Sequence, residues 1–198
     1  QSAGEVFATP RALDINDLFF TYGVRLNTDL IQDLSCMPVP QQVSVIGDQP
    51  QYKFMVFPYC LDIVNFGNHP IVRNLKDIKS DFAGSIDLVG NNADLTKTVL
   101  MTTSERTKVV PTPSIVTLRV GLVKPNLQEY SYRNVPVAVL VEGNFQSAFK
   151  GILPIEFDTI KELDFRDRSE YTRQIFVSDG DIIRDPFDSK RNQPYPAG

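Results

Sequence analysis

Short apolar runs bounded by turn residues organise this chain, and their spacing predicts its elements. Apolar positions at Ile15, Leu18, Phe19 and Tyr22 predict a helix Ile15 to Tyr22, with Asp14 as its cap and Gly23 where a C′ glycine belongs. Asp29 to Leu34 alternates like a strand. Gln41 to Ile46 and Gln51 to Phe57 are β-rich runs joined by Gly47-Asp48-Gln49-Pro50, which predicts a hairpin. Ile71 to Ile78 has apolar positions suited to a helical turn or two. Phe82 to Val89 and Thr96 to Thr103 read as strands, with a turn at Asn91-Asn92 between them.

The second half is less regular. Val109-Val110-Pro111-Thr112-Pro113 forces an extended segment, because proline fixes its own φ and restricts its predecessor. Ser114 to Leu122 is β-branched and ambiguous. Val135 to Val141 lacks polar alternation, as a strand covered on both faces would. A short helix Phe145 to Lys150, closed by Gly151, is expected after it. Residues 158–172 are dense in charge and predict an exposed loop. Gln174 to Val177 closes the readable structure as a strand internal to the sheet. Strands and short helices together predict an α/β domain over 1–198, with a mixed, mainly parallel sheet, flanking short helices and a β-hairpin elaboration.

Ser178-Asp179-Gly180-Asp181 follows that last strand. The crevice outside strand ends is where α/β sheets bind ligands, so the acidic tip is a candidate site. Asp beside Gly is also ordinary turn chemistry, and the turn is the favoured reading. It predicts that Asp179 accepts backbone N–H bonds from the next few residues. Glu142 likewise ends an apolar run, so Glu142, Asp179 and Asp181 form a candidate acidic rim. Two carboxylates on one rim could act as acid and base or hold a hard cation.

Composition narrows the classes. The 198 residues are 42% hydrophobic, enough for a sizeable core without a staple. Net charge is −4 with scattered basic residues, unlike a nucleic-acid groove. No apolar run is long enough to cross a membrane as a helix. The start at Gln1 and the tail Asn192 to Gly198, which shows no element of its own, predict a fragment cut at both ends from a longer protein. Cys36 and Cys60 show no metal-ligand spacing. Cys60 reads most simply as a buried small hydrophobe, and a Cys36–Cys60 bridge requires an oxidising compartment. Phosphate-cradling, dinucleotide-binding and nucleophile-elbow motifs are all missing. The single histidine, His69, precedes Pro70 and reads as a loop residue rather than a general base.

A family resemblance emerges from the order of several motifs. These are Leu18-Phe-Phe-Thr-Tyr-Gly-Val-Arg-Leu-Asn27, Asp29-Leu-Ile-Gln-Asp33, Asn68-His-Pro-Ile-Val72 and Lys97-Thr-Val-Leu-Met-Thr-Thr-Ser104. Pro136-Val-Ala-Val-Leu-Val-Glu-Gly143 and Val177-Ser-Asp-Gly-Asp-Ile-Ile-Arg184 complete the set. Together they resemble GldG, the gliding-motility-associated ABC-transporter auxiliary family of Bacteroidetes, over about residues 10–190. The resemblance implies glutamine-amidotransferase-like or flavodoxin-like layers and no established catalytic set. It also implies a membrane-anchored protein on the periplasmic side of the inner membrane, working with a permease subunit and, through it, a separate ATPase subunit.

The expected function is therefore a non-enzymatic extracytoplasmic subunit of an ABC-type transport or motility system, with no cofactor, no metal and no nucleic-acid partner. Two other classes stay open. One is a hydrolase or carbohydrate-active domain using Glu142 and Asp179. Such a reading fails if the carboxyls lie more than about 10 Å apart, beyond the inverting geometry of glycoside hydrolysis. The other is a small-molecule or peptide receptor whose pocket Phe54, Phe57, Tyr59 and Phe66 could line, although plain core is the favoured reading of those aromatics.

Overall fold

The computed structural model describes residues 5–11, 14–152, 165–183, 187–188 and 193–194. In chain order the elements are β1 (Glu5–Ala8), α1 (Asn16–Thr21), β2 (Val24–Leu26), β3 (Asp29–Asp33), β4 (Cys36–Ile46) and β5 (Gln49–Ile63). β6 (Asn65–Phe66), β7 (Ile78–Asp81), β8 (Ile86–Leu88), β9 (Leu95–Thr102), β10 (Thr107–Pro111) and β11 (Ser114–Thr117) follow. A 3₁₀ turn, Leu118–Leu122, precedes the long strands β12 (Pro136–Gln146) and β13 (Arg168–Val177). A two-residue ladder of β14 (Phe187–Asp188) with β15 (Gln193–Pro194) lies in the tail.

The expected mainly parallel α/β layering is not what the chain builds. Every strand pair among the described residues is antiparallel, and they include one α-helix of six residues. The protein is mainly β. The largest sheet runs β13-β12-β9-β6, and β4-β5-β7 forms a second. Shorter ladders join β3 with β10, β2 with β8 and β1 with β11.

The difference turns on β12. Val137 to Val141 are all buried, as the unbroken apolar run requires. Their cover is not a pair of helical layers but two apolar clusters on opposite faces. Ala138 and Leu140 join Ile31, Leu61, Ile63 and Leu100, while Val139 and Val141 join Val24, Ile86, Phe145 and Phe176. A strand that divides two cores has the same composition as one in a parallel sheet, because both faces are dry in either case.

Helix α1 covers the second cluster with Phe19 edge-on to Phe176 at 5.3 Å and Tyr22 edge-on to Phe145 at 5.0 Å. Gly23, at φ +83°, ends it as expected. The expected Asp14 cap is not used: Ile15 is the N-cap and no side chain caps the helix. Residues 70–74 form hydrogen-bonded turns rather than a helix. The helix expected at Phe145 to Lys150 is absent too, since β12 runs on through Gln146, paired with Arg168 of β13.

β13 lies at the end of its sheet rather than inside it, and Ile175 is half exposed. Three consecutive apolar residues did not require cover on both faces. The expected charged loop falls partly on described structure. Arg168 to Thr172 belong to β13, while 158–164 lie outside the described residues.

Candidate functional site

Asp179 is buried to 7% exposure where the chain leaves β13. Its Oδ2 accepts from the Ser80 hydroxyl and the Asp81 N–H, both at 2.9 Å. Its Oδ1 accepts from the Asp181 N–H at 2.8 Å, the local turn bond that Asp beside Gly provides. The carboxylate therefore ties the exit of β13 to β7, nearly a hundred residues earlier. Asp181 sits exposed on the far side of the same turn.

Glu142 is elsewhere. Its Oε1 accepts from the Arg173 Nε at 2.5 Å and from the Tyr171 hydroxyl at 3.4 Å. The Arg173 guanidinium holds the Glu142 carboxyl below its usual range, so it stays ionised and is unsuited to deliver a proton. Register measures its distance from the tip. Val177 faces Ala138 and Arg173 faces Glu142, four residues or about 13 Å apart along the ladder. Asp179 lies two residues beyond Val177. The structure thus brings Asp179 and Asp181 together and leaves Glu142 part-way along the ladder, too far for a shared acid–base or cation site.

The Asp179 arrangement recurs. Asp29 accepts from the Ser85 N–H at 2.7 Å and its hydroxyl at 2.6 Å. Asp33, 1% exposed, accepts from the Ser104 N–H at 2.7 Å and its hydroxyl at 2.5 Å, from the Ser35 N–H at 2.7 Å and from the Thr107 hydroxyl at 3.1 Å. Thr107 in turn bonds Thr103, which receives the Val135 N–H. Three carboxylates thus fasten loops to strands by satisfying buried donors. Sequence reading did not single out Asp29 or Asp33, although Asp29-Leu-Ile-Gln-Asp33 and Thr102-Thr-Ser104 pair acceptors with hydroxyl donors.

The surface feature that stands apart is the hairpin of β4 and β5. Every residue from Gln42 to Phe54 is exposed, so both strands run free of the body. From Gln42 to the Gly47-Asp48 turn the arm reaches roughly 15 Å. Cross-strand pairs place Pro38 with Val56, Pro40 with Phe54, Gln42 with Tyr52 and, past an irregularity, Val45 with Pro50 on one face. Tyr52, Phe54 and Val56 expose more than half of their surface there. Across Cys36 to Phe57 the only charges are Asp48 and Lys53. Pro38 and Pro40 offer no N–H along β4, the free edge of its sheet, which discourages strand addition there.

A cleft of about 610 Å³ opens at the root of the arm. Val56 and Pro58 form one wall, and Val120 to Pro125 form the other. Gly121 lets the 3₁₀ turn press on the arm, since a Cβ there would overlap the Val56 carbonyl oxygen. On the floor are Gln32 and Lys108, cross-strand partners on one face of β3 and β10, with Tyr130. The buried Tyr130 hydroxyl donates to Gln32 Oε1 at 3.0 Å, and burial pushes the phenol up to about 12. Lys108 pairs with Glu129.

Other sequence candidates resolve into structure. Phe57 and Tyr59 belong to a buried cluster with Val116 and contact the Phe82 ring, whereas Phe54 is on the arm and Phe66 packs on the first core. His69 accepts the Ile71 N–H within its own turn. Cys36 and Cys60 are free thiols, and Leu61 rather than Cys60 faces Cys36. Burial raises both, Cys36 to about 11 and Cys60 to about 12. Among the described residues no three metal-ligating side chains cluster, and no helix is long and apolar enough to cross a membrane.

Residues 1–198 match the family model ABC_transp_aux, described as an ABC-type uncharacterized transport system. No curated protein and no solved structure matches the chain.

Proposed function

The chain belongs to this auxiliary family of ABC-type transport systems, and from that premise we propose that it is a non-enzymatic subunit which docks on the transporter's permease through the β4–β5 arm. One observation carries the reading. The arm holds an uncharged apolar face, Tyr52, Phe54 and Val56 with Pro38 and Pro40, of which the three larger side chains each expose more than half of their surface. Monomeric surfaces seldom keep a contiguous apolar patch without a partner, and aromatic anchors with few charges are the make-up of interface centres. On this reading the full-length protein is held on the periplasmic side of the inner membrane, and the separate ATPase is reached only through the permease.

The narrower reading is a GldG-type subunit linked to gliding or export. The ordered motifs from Leu18 to Arg184 support it. The distance between Glu142 and Asp179 argues against the carboxylate-dependent hydrolase.

The test is capture from membranes. Tagged full-length protein, extracted in mild detergent, should bring the permease with it. Tyr52→Ser with Phe54→Ser should keep the fold and lose the permease. Wild-type protein recovered soluble and alone would refute the subunit assignment, and undiminished capture by the double variant would refute the arm as the docking element.

A further inference from the structure

The cleft at the root of the arm contains hydrogen-bond donors that the protein does not use. Gln32 is 6% exposed, and its Oε1 is occupied by the Tyr130 hydroxyl. That bond fixes the amide, and the Nε2 hydrogens have no partner among the described residues although the side chain lines the cleft. The buried side-chain polar atoms without a partner among the described residues are Asp62 Oδ1 and Ser114 Oγ, so Gln32 Nε2 is open to the cleft and available to an acceptor placed there. Lys124 stands on the opposite wall with no carboxylate partner among the described residues. Lys108 shares its ammonium with Glu129. Two lysines against one glutamate leave an excess positive charge in the cleft of a chain whose net charge is −4.

We propose that this cleft binds a short apolar peptide carrying a free carboxylate. Leu34, Val56, Pro58, Leu122 and Val123 supply apolar wall for its side chains. Gln32 Nε2 donates to a backbone carbonyl, and Lys124, aided by Lys108, receives the carboxylate. The volume of about 610 Å³ lies in the range of sites that enclose ligands of this size. A fatty chain of equal length would cover the same wall but leave Gln32 Nε2 facing hydrocarbon. A peptide carries a carbonyl at every residue and supplies it with an acceptor. The inference does not rest on the arm's docking role, because a ligand could occupy the root whether or not the exposed face meets a permease.

Calorimetric titration of the full chain tests it, with three probes: an N-acetylated tetrapeptide of leucine and valine with a free C-terminal carboxylate, the same peptide as its carboxamide, and decanoate. The free acid should bind measurably below about 1 mM, and the carboxamide about tenfold more weakly, as loss of a charge-assisted hydrogen bond implies. Equal binding of acid and amide, or no binding of the acid, overturns the proposal. Decanoate binding as tightly as the peptide acid overturns the peptide assignment.

Gln32→Glu keeps an acceptor for Tyr130 but replaces the free donor with a repelling oxygen. It should weaken the acid about tenfold or more at unchanged far-ultraviolet circular dichroism. If that variant fails to fold, Lys124→Gln decides alone. The residue is exposed and its removal should cost about fivefold, so unchanged affinity there overturns the proposal.

Discussion

Replacing Asp179 by Ala should destabilise the protein by about 3 kcal/mol, a figure that follows from two of its three donors. The Ser80 hydroxyl and the Asp81 N–H converge on Oδ2, and Ser80 is 3% exposed. Water does not reach that hydroxyl easily, so the cost of leaving it unpaired is felt nearly in full, about 1–3 kcal/mol for each buried donor. The Asp181 N–H, at an exposed turn, is readily rehydrated and adds little. Asp179→Asn provides the internal comparison. Its one carbonyl oxygen can keep the Ser80 and Asp81 bonds while the amide turns toward the exposed side, so its loss should be about 1 kcal/mol. Urea denaturation reads both, and at a slope of 2–3 kcal/mol per molar urea the Ala variant should shift the midpoint down by about 1 M. An Ala midpoint within about 0.2 M of wild type, or an Asn variant as poor as Ala, would refute this account. An Asp179→Ala protein of full stability that no longer captures the transporter would instead make the acidic tip a working site.

Asp33→Ala removes an acceptor from four bonds at a site 1% exposed, and urea denaturation should show a loss of about 4 kcal/mol or no folded protein. Gly121→Ala forces the 3₁₀ turn away from the Val56 carbonyl, which should lower stability by about 1–3 kcal/mol and increase amide exchange at the arm root. Both thiols are raised by burial, so iodoacetamide should label native Cys36 at pH 8 about two orders of magnitude more slowly than an unfolded thiol, and Cys60 more slowly still. Because the folded thiols hold their protons more tightly, their contribution is complete below the unfolded value of about 8.5 and declines as pH rises from there toward 11 and 12. A urea midpoint that did not fall between pH 8 and pH 10.5 would contradict this direction.

Antiparallel pairing also explains why the arm can exist. Residues Cys60 to Ile63 of β5 pair with β7, Leu61 also facing Cys36 of β4, and Cys60, Leu61 and Ile63 lie in the core, while the part toward Gln49 pairs only with β4. The strand is anchored at one end, and its other end carries the apolar face outward. Gly121 and the turn around it brace that anchor at Val56.

Local chemistry in the sequence determined much of the element map. The 3.6-residue spacing before Gly23 gave α1, the Gly47-Asp48 turn joined β4 to β5, and the runs at Asp29, Thr96 and Val135 marked β3, β9 and β12. Asp179 bonding its own turn was legible for the same reason: the donor lies two residues away. Pairing direction was not legible, because Val137 to Val141 look alike whether helices or two β-sided cores cover them. The contacts that define the sites join residues far apart in the chain. Asp179 meets Ser80, Gln32 meets Tyr130, and Asp33 meets Ser104. Nor does apolar patterning reveal whether a face is covered, so Tyr52 and Phe54 read like Phe57 and Tyr59 until the body beneath them is known. Hydrophobic period and turn residues act over a few positions and fix where strands begin and end. Strand neighbours, and which apolar faces remain in solvent, depend on closing long loops around a shared core, and only the tertiary structure decides that.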